Sequence, residues 1–141
     1  MTNVTRIRVR YAETDQMGIV YYANYLVWME IGRTNLMRDM DLTYKKMEEK
    51  GIMLPVTKAC ARYLKSALYD DEVDVYSTIT MCSGARVRID YKIKKGEALL
   101  CTGYTEHVFL SIETKKILRI PIEMKKKVIL PDNPKEYMNE I

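Results

Sequence analysis

Residues 22–39, Tyr-Ala-Asn-Tyr-Leu-Val-Trp-Met-Glu-Ile-Gly-Arg-Thr-Asn-Leu-Met-Arg-Asp, decide the architecture. Tyr25, Met29, Gly32, Leu36 and Met40 recur at helical spacing. Leu26, Val27, Trp28 and Ile31 spread apolar surface around much of the remaining circumference. A helix this apolar is expected to be buried on most sides rather than half-exposed. Gly32 costs roughly 1 kcal/mol of helix propensity, so close packing against another element is expected there.

On both sides of this helix the period changes to two. Residues 4–10, VTRIRVR, alternate apolar and basic and read as a half-buried strand, followed by the loop YAETDQMGIVY. Beyond the helix, a short second helix over residues 44–50 ends at Gly51, a favourable residue just past a helix C-terminus. Strands follow at 52–64, 72–82, 86–94 and 98–112. Pro55 marks the first of them as an edge or a bulge, and Gly103 suggests a bulge in the last. In residues 72–82, Val73, Val75, Ile79 and Met81 share one face. In residues 86–94, Val87, Ile89, Tyr91 and Ile93 point one way and Arg86, Arg88, Asp90, Lys92 and Lys94 the other. Ser83-Gly84 and Lys95-Gly96 supply hairpin turns. Pro121 opens a last short helix, PIEMKKKV. A curved antiparallel sheet wrapped around the long helix buries both apolar surfaces, which makes the chain an α+β protein.

The 141 residues suit one domain, with a core over about 4–129 and a tail at 130–141. A net charge of +4 arises from 23 basic and 19 acidic residues, an interleaving that argues against nucleic acid and fits an anionic small ligand. Cys60, Cys82 and Cys101 form no CxxC pair, and His107 is the single histidine, so neither a metal site nor a cofactor is expected. Without a secretory core or an apolar stretch long enough to span a bilayer, the expectation is a cytoplasmic protein that does not insert into membranes.

One motif carries chemistry. Between Asp15 and Tyr25 stands Asp-x-x-Gly-Ile-Val-Tyr-x-x-x-Tyr, leading straight into the helix. Together with Arg8–Ala12 before it, this segment resembles the signature of the 4-hydroxybenzoyl-CoA thioesterase family and is similar to the Tol–Pal-associated acyl-CoA thioesterases. The block 61–71, ARYLKSALYDD, and Thr102-Gly103 followed by Glu106-His107-Val108 resemble two further blocks of that family. The resemblance spans about residues 4–129. It implies a hotdog fold, hydrolysis of an acyl-CoA substrate, and a homodimer or homotetramer with active sites between subunits.

On the same resemblance Asp15 matches the catalytic carboxylate, Gly18 the tight turn into the helix, and the backbone N–H near Tyr22 the donor that polarises the thioester carbonyl. The physics agrees with these roles. A helix N-terminus offers unpaired N–H groups to a developing oxyanion. A nearby carboxylate can attack the carbonyl or activate a water, with the base role preferred. Read by itself, Asp15 would be a turn carboxylate bonded to local N–H groups. Tyr22 stands where the Tol–Pal type carries histidine, so Asp15 is expected to act without a histidine partner.

The remaining candidates each have two readings. Glu30 either pairs with Arg33 or enters the substrate pocket, as an acidic residue does in aromatic-substrate relatives. Tyr11 either packs in the core or bonds the catalytic loop, or else meets the substrate and joins the chemistry directly. Arg86 and Arg88 bind phosphates of CoA or belong to an ordinary solvated strand face. Glu13 is expected to be a solvated loop residue, and His107 structural. A non-catalytic acyl-CoA-binding module and a hotdog hydratase or dehydratase are the competing functions; the latter needs a histidine paired with an acid.

Overall fold

A computed structural model describes residues 1–140. β1 (Thr2–Arg8) precedes a 3-10 turn at Tyr11–Glu13, and α1 (Ala23–Asp39) and α2 (Tyr44–Glu49) follow. Then come β2 (Ile52–Met53), β3 (Val56–Tyr63), β4 (Glu72–Ser83), β5 (Arg86–Lys95), β6 (Ala98–Val108) and β7 (Leu110–Ser111). The short helix α3 (Ile122–Lys125) closes the core. Five strands form one antiparallel sheet in the order β1-β4-β5-β6-β3, and β2 pairs separately with β7. The expected α+β architecture, one sheet with one long helix laid on it, is present.

Helix α1 sets the depth of the core. Trp28, Met29 and Leu36 are fully buried against Val73, Val75, Ile89, Tyr91 and Ile93 of the sheet. Gly32 makes this approach possible: a Cβ there would lie 2.5 Å from Ser77 Oγ and 2.8 Å from Val75 Cγ1. Gly103 does the same from the sheet side, where a Cβ would fall 2.6 Å from both Met29 Cε and the Cys60 carbonyl oxygen. The bulge expected at Gly103 is therefore absent. Its register is regular opposite Ala61 and Tyr91, and the shift lies between Ile93 and Lys94.

Three other expectations change. Leu26, Val27 and Ile31 are between 37% and 46% exposed, so α1 is buried on one face only. A single sheet covers one side of a helix, and α2 does not reach the other. Each of the long strands expected at 52–64 and 98–112 is broken in two, because Pro55 has no N–H to continue the ladder. Asp90, expected on the solvated face of β5, is buried under the C-terminal tail. The tail's Asn139 donates from its backbone N–H to Asp90 and from its side-chain amide to the carbonyls of Tyr91 and Gly103.

Replacing Gly32 by alanine gains about 1 kcal/mol of helix propensity but overpacks the helix–sheet contact, which costs about 1–3 kcal/mol. With both Cβ contacts below 3 Å, the net effect expected is destabilisation, measured by urea unfolding of Gly32→Ala against the parent.

Candidate active site

The stretch between β1 and α1 is a small hairpin whose base is held by Glu13. The backbone N–H of Tyr21 donates to the Glu13 carbonyl at 2.8 Å, and the Asn24 side-chain amide donates to the same oxygen at 2.9 Å. Thr14 and Val20 form an isolated bridge just above. At the tip, the Asp15 N–H donates to Ile19 O and the Gly18 N–H to Asp15 O. Gly18 has φ +78°, a left-handed conformation that glycine adopts without steric cost, as the tight-turn expectation requires.

Asp15 is half-buried, and one carboxylate oxygen accepts the Met17 N–H at 2.8 Å. That is the local turn contact, and it leaves the second oxygen without a partner among the described residues. The charge of Asp15 reaches Tyr21, whose hydroxyl pKa is raised, chiefly by the neighbouring Tyr22 hydroxyl and to a smaller extent by Asp15.

Tyr22 is the residue before α1, and no acceptor among the described residues takes its backbone N–H or that of Ala23. Tyr22 also lines a cleft, together with Ile19, Val20, Tyr25, Tyr63 and Lys65, among others, with a volume of about 160 Å³. The cleft is walled by aromatic rings. Tyr63 lies edge-on to Tyr22 at 6.0 Å and to Tyr25 at 5.3 Å, and its hydroxyl donates to the Tyr22 carbonyl. Tyr25 is anchored from below, where its hydroxyl accepts the Ala67 N–H. Burial raises the pKa of both Tyr25 and Tyr63. Asp15 does not line the cleft of one chain; it stands on the adjoining hairpin.

Of the sequence candidates, Asp15 and Gly18 share the tip of the hairpin, and Tyr22 follows its return strand at the cleft. Tyr11 is exposed rather than in the core: its ring meets Tyr69 edge-on, and its carbonyl accepts both the N–H and the hydroxyl of Thr14. Glu30 projects from the uncovered face of α1 and makes no pair with Arg33. Arg33 instead turns into the core, donating to the hydroxyls of Tyr44 and Tyr91. Arg88 is already engaged, paired with buried Asp90, stacked on the Tyr104 ring at 3.8 Å, and donating to the Asn139 carbonyl. Arg86 is exposed at the far end of β5. It stands seven positions before Ile93, which pairs with Cys101 opposite Tyr63, so it lies about 23 Å along the strand from the cleft.

Two residues depart from the sequence reading or extend it. Glu13, expected to be solvated, is 5% exposed and accepts the Trp28 indole N–H at 2.8 Å. Tyr63, which sequence spacing did not single out, walls the cleft. Cys101 is no nucleophile, since burial pushes its thiol up to about 12.

The sequence profile of the thioesterase-like superfamily matches residues 9–128. The chain belongs to that superfamily. It is 41% identical over 121 residues to Bacillus subtilis YneP, described as a candidate acyl-CoA thioesterase, with 85% of each chain covered. It is 26% identical over 120 residues to the Haemophilus influenzae acyl-CoA thioesterase YbgC, covering 84% of this chain and 88% of the relative. The solved Staphylococcus aureus DHNA-CoA thioesterase superposes with a TM-score of 0.80 at 35% identity, over 84% of this chain and 80% of the other. The thioesterase-like fold of this chain is the hotdog, as its motif implied. No helix among its described residues is long and apolar enough to cross a membrane.

His107 of this thioesterase-like chain is buried on β6, and its Nε2 bonds the Thr105 hydroxyl at 2.8 Å. It lies six residues along the strand from Cys101, about 20 Å from the cleft end. Burial and, after it, the charge of Arg33 push its pKa down to about 4. The unfolded imidazole titrates near 6.5, so between these values the unfolded chain binds a proton that the folded chain excludes. Stability contributed by neutral His107 is present above pH 6.5 and is lost as pH falls toward 4, by on the order of 3 kcal/mol. Urea unfolding of wild type and His107→Gln at pH 7 and pH 4.5 checks this: the wild type is expected to lose more stability on acidification than the variant.

Proposed function

We propose that this thioester hydrolase cleaves acyl-CoA or aroyl-CoA esters to the free acid and CoA. The observation that carries the reading is the pair of unpaired N–H groups at Tyr22 and Ala23, directly after the hairpin whose tip holds Asp15. The thioester carbonyl docks at the start of α1, where the two donors and the helix dipole take up the negative charge that develops on oxygen. Asp15 supplies the reacting carboxylate, as base to a water or as nucleophile; its unbonded oxygen is the atom available for either. The Tyr22, Tyr25 and Tyr63 rings shape the acyl end of the cleft. An aryl group is favoured there, because ring edges and faces pair at such distances. The names of the relatives support CoA as the thiol.

The oligomer completes the site. Among the described residues β3 pairs only with β6, so its outer edge offers a free ladder of backbone donors and acceptors. Val56, Tyr63 and Leu64 on or beside that edge are exposed, and the cleft opens beside Tyr63. A second copy pairing along β3 covers these residues and closes the cleft that one chain leaves open, in a homodimer or a homotetramer built from it. Arg86 then serves the CoA phosphates only across such an interface, while Arg88 stays with Asp90.

Release of free CoA from a panel of acyl- and aroyl-CoA esters tests the reading, with a protein-only blank for the thiols. Asp15→Asn is expected to lower kcat by about 100- to 10,000-fold, with CoA-ester binding retained. Binding without turnover by the wild type would instead make the protein a binding module. Light scattering of the purified protein is expected to give a dimer or tetramer of the 16.5 kDa chain; a monomer that is fully active would remove the interface from the mechanism.

A further inference from the structure

Glu13 accepts bonds from three elements at once. Its carboxylate takes the Trp28 indole N–H at 2.8 Å through one oxygen and the Arg10 backbone N–H at 2.9 Å through the other, with the Arg10 guanidinium 3.5 Å away. Its carbonyl takes the Tyr21 N–H and the Asn24 amide. Trp28 is fully buried in the second turn of α1, so it cannot shift without moving the core. The side chain of Glu13 thus fastens the stem of the Asp15 hairpin to the helix interior, while its main chain fastens the same stem to the helix start.

We propose that Glu13 is the positioning residue of the site: through Trp28 it sets Asp15 against the free N–H groups of Tyr22 and Ala23. The inference rests on Asp15 carrying the thioester hydrolysis. Among the described residues the Asp15 carboxylate has only the local Met17 contact, and its backbone bonds stay within the hairpin, so nothing in its own bonds fixes it relative to α1. One residue, Thr14, separates it from Glu13, and a side-chain bond lost at the stem is felt at the tip. A carboxylate is the group suited to this place, because its two oxygens accept from two donors simultaneously; a glutamine would present an N–H to one of them. The buried partner left without its bond then pushes the stem away from its present position.

The test measures kcat, KM and melting temperature for wild type, Glu13→Gln, Trp28→Phe, the double variant and Asp15→Asn. Trp28→Phe keeps an aromatic ring in the core and removes the indole donor together with part of the ring volume, a packing loss that the melting temperature reads separately. Each single variant is expected to lose kcat on the order of 10- to 100-fold, the scale of a misplaced catalytic group, with KM within about twofold. The double variant is expected to lose no more than the worse single one, since both remove the same bond. Amide exchange across residues 13–21 is expected to quicken while the sheet stays protected. If Asp15→Asn is inactive yet both single variants keep wild-type kcat, Glu13 is structural and the inference is overturned. If they raise KM at unchanged kcat, it is overturned as well. If Asp15→Asn is fully active, the Asp15 reading fails first and takes this one with it. Should Trp28→Phe not fold, Glu13→Gln decides by the same criteria.

Discussion

The close approach of α1 to the sheet is the constraint on which the rest of the molecule depends. Two glycines face that contact from opposite sides, Gly32 against Val75 and Ser77, and Gly103 beneath Met29. Interiors pack as densely as organic crystals, so a helix seated this low has a single position along its axis and about it. Trp28 is thereby fixed, and Trp28 is what Glu13 holds. That chain of contacts, which starts at a missing methyl group, ties the stem of the hairpin bearing Asp15 to the helix that begins at Ala23.

The same contact explains the polar residues inside. Arg33 leaves α1 on its buried side and finds no carboxylate among the described residues; the Tyr44 and Tyr91 hydroxyls accept from it, and Tyr91 continues through Thr105 to His107. A cation held by neutral acceptors makes its surroundings hostile to a second positive charge, and His107 stays neutral for that reason as well as for its burial. The histidine is a core residue in consequence. On the outer face, Asp90 plays the reverse part: Arg88, Thr80 and the tail residue Asn139 all donate to it, so a strand face that alternation marks as solvated becomes a seat for the C-terminus.

Periodicity made much of this legible. The alternation of β4 and β5 and the helical recurrence from Tyr25 to Met40 each identify an element, because every second or every fourth residue must meet the same core. Gly32 announced close packing, since a glycine inside a helix is costly unless space demands it. Glu13 carried no such signal. A glutamate between an alanine and a threonine in a polar loop reads as solvated, and only the indole of Trp28, fifteen residues away, makes it a buried acceptor. Glu30 and Arg33 misled in the opposite sense: their spacing permits an ion pair, but the helix rotates Arg33 toward the tyrosines and leaves Glu30 outside.

By itself the sequence determined the α+β class, the order of elements, the inward faces of the central strands, and the family, through the run from Asp15 to Tyr25. These are local properties, written in periods of two and 3.6 residues and in one short motif. Only the tertiary structure decided that α1 is covered on one face, that Arg88 belongs to Asp90, and that Tyr63 joins Tyr22 and Tyr25 at the cleft. It alone also decided that Glu13 is buried. Each of these joins residues distant in the chain, and such a pairing is set by how the helix sits on the sheet, a geometry that no local pattern encodes.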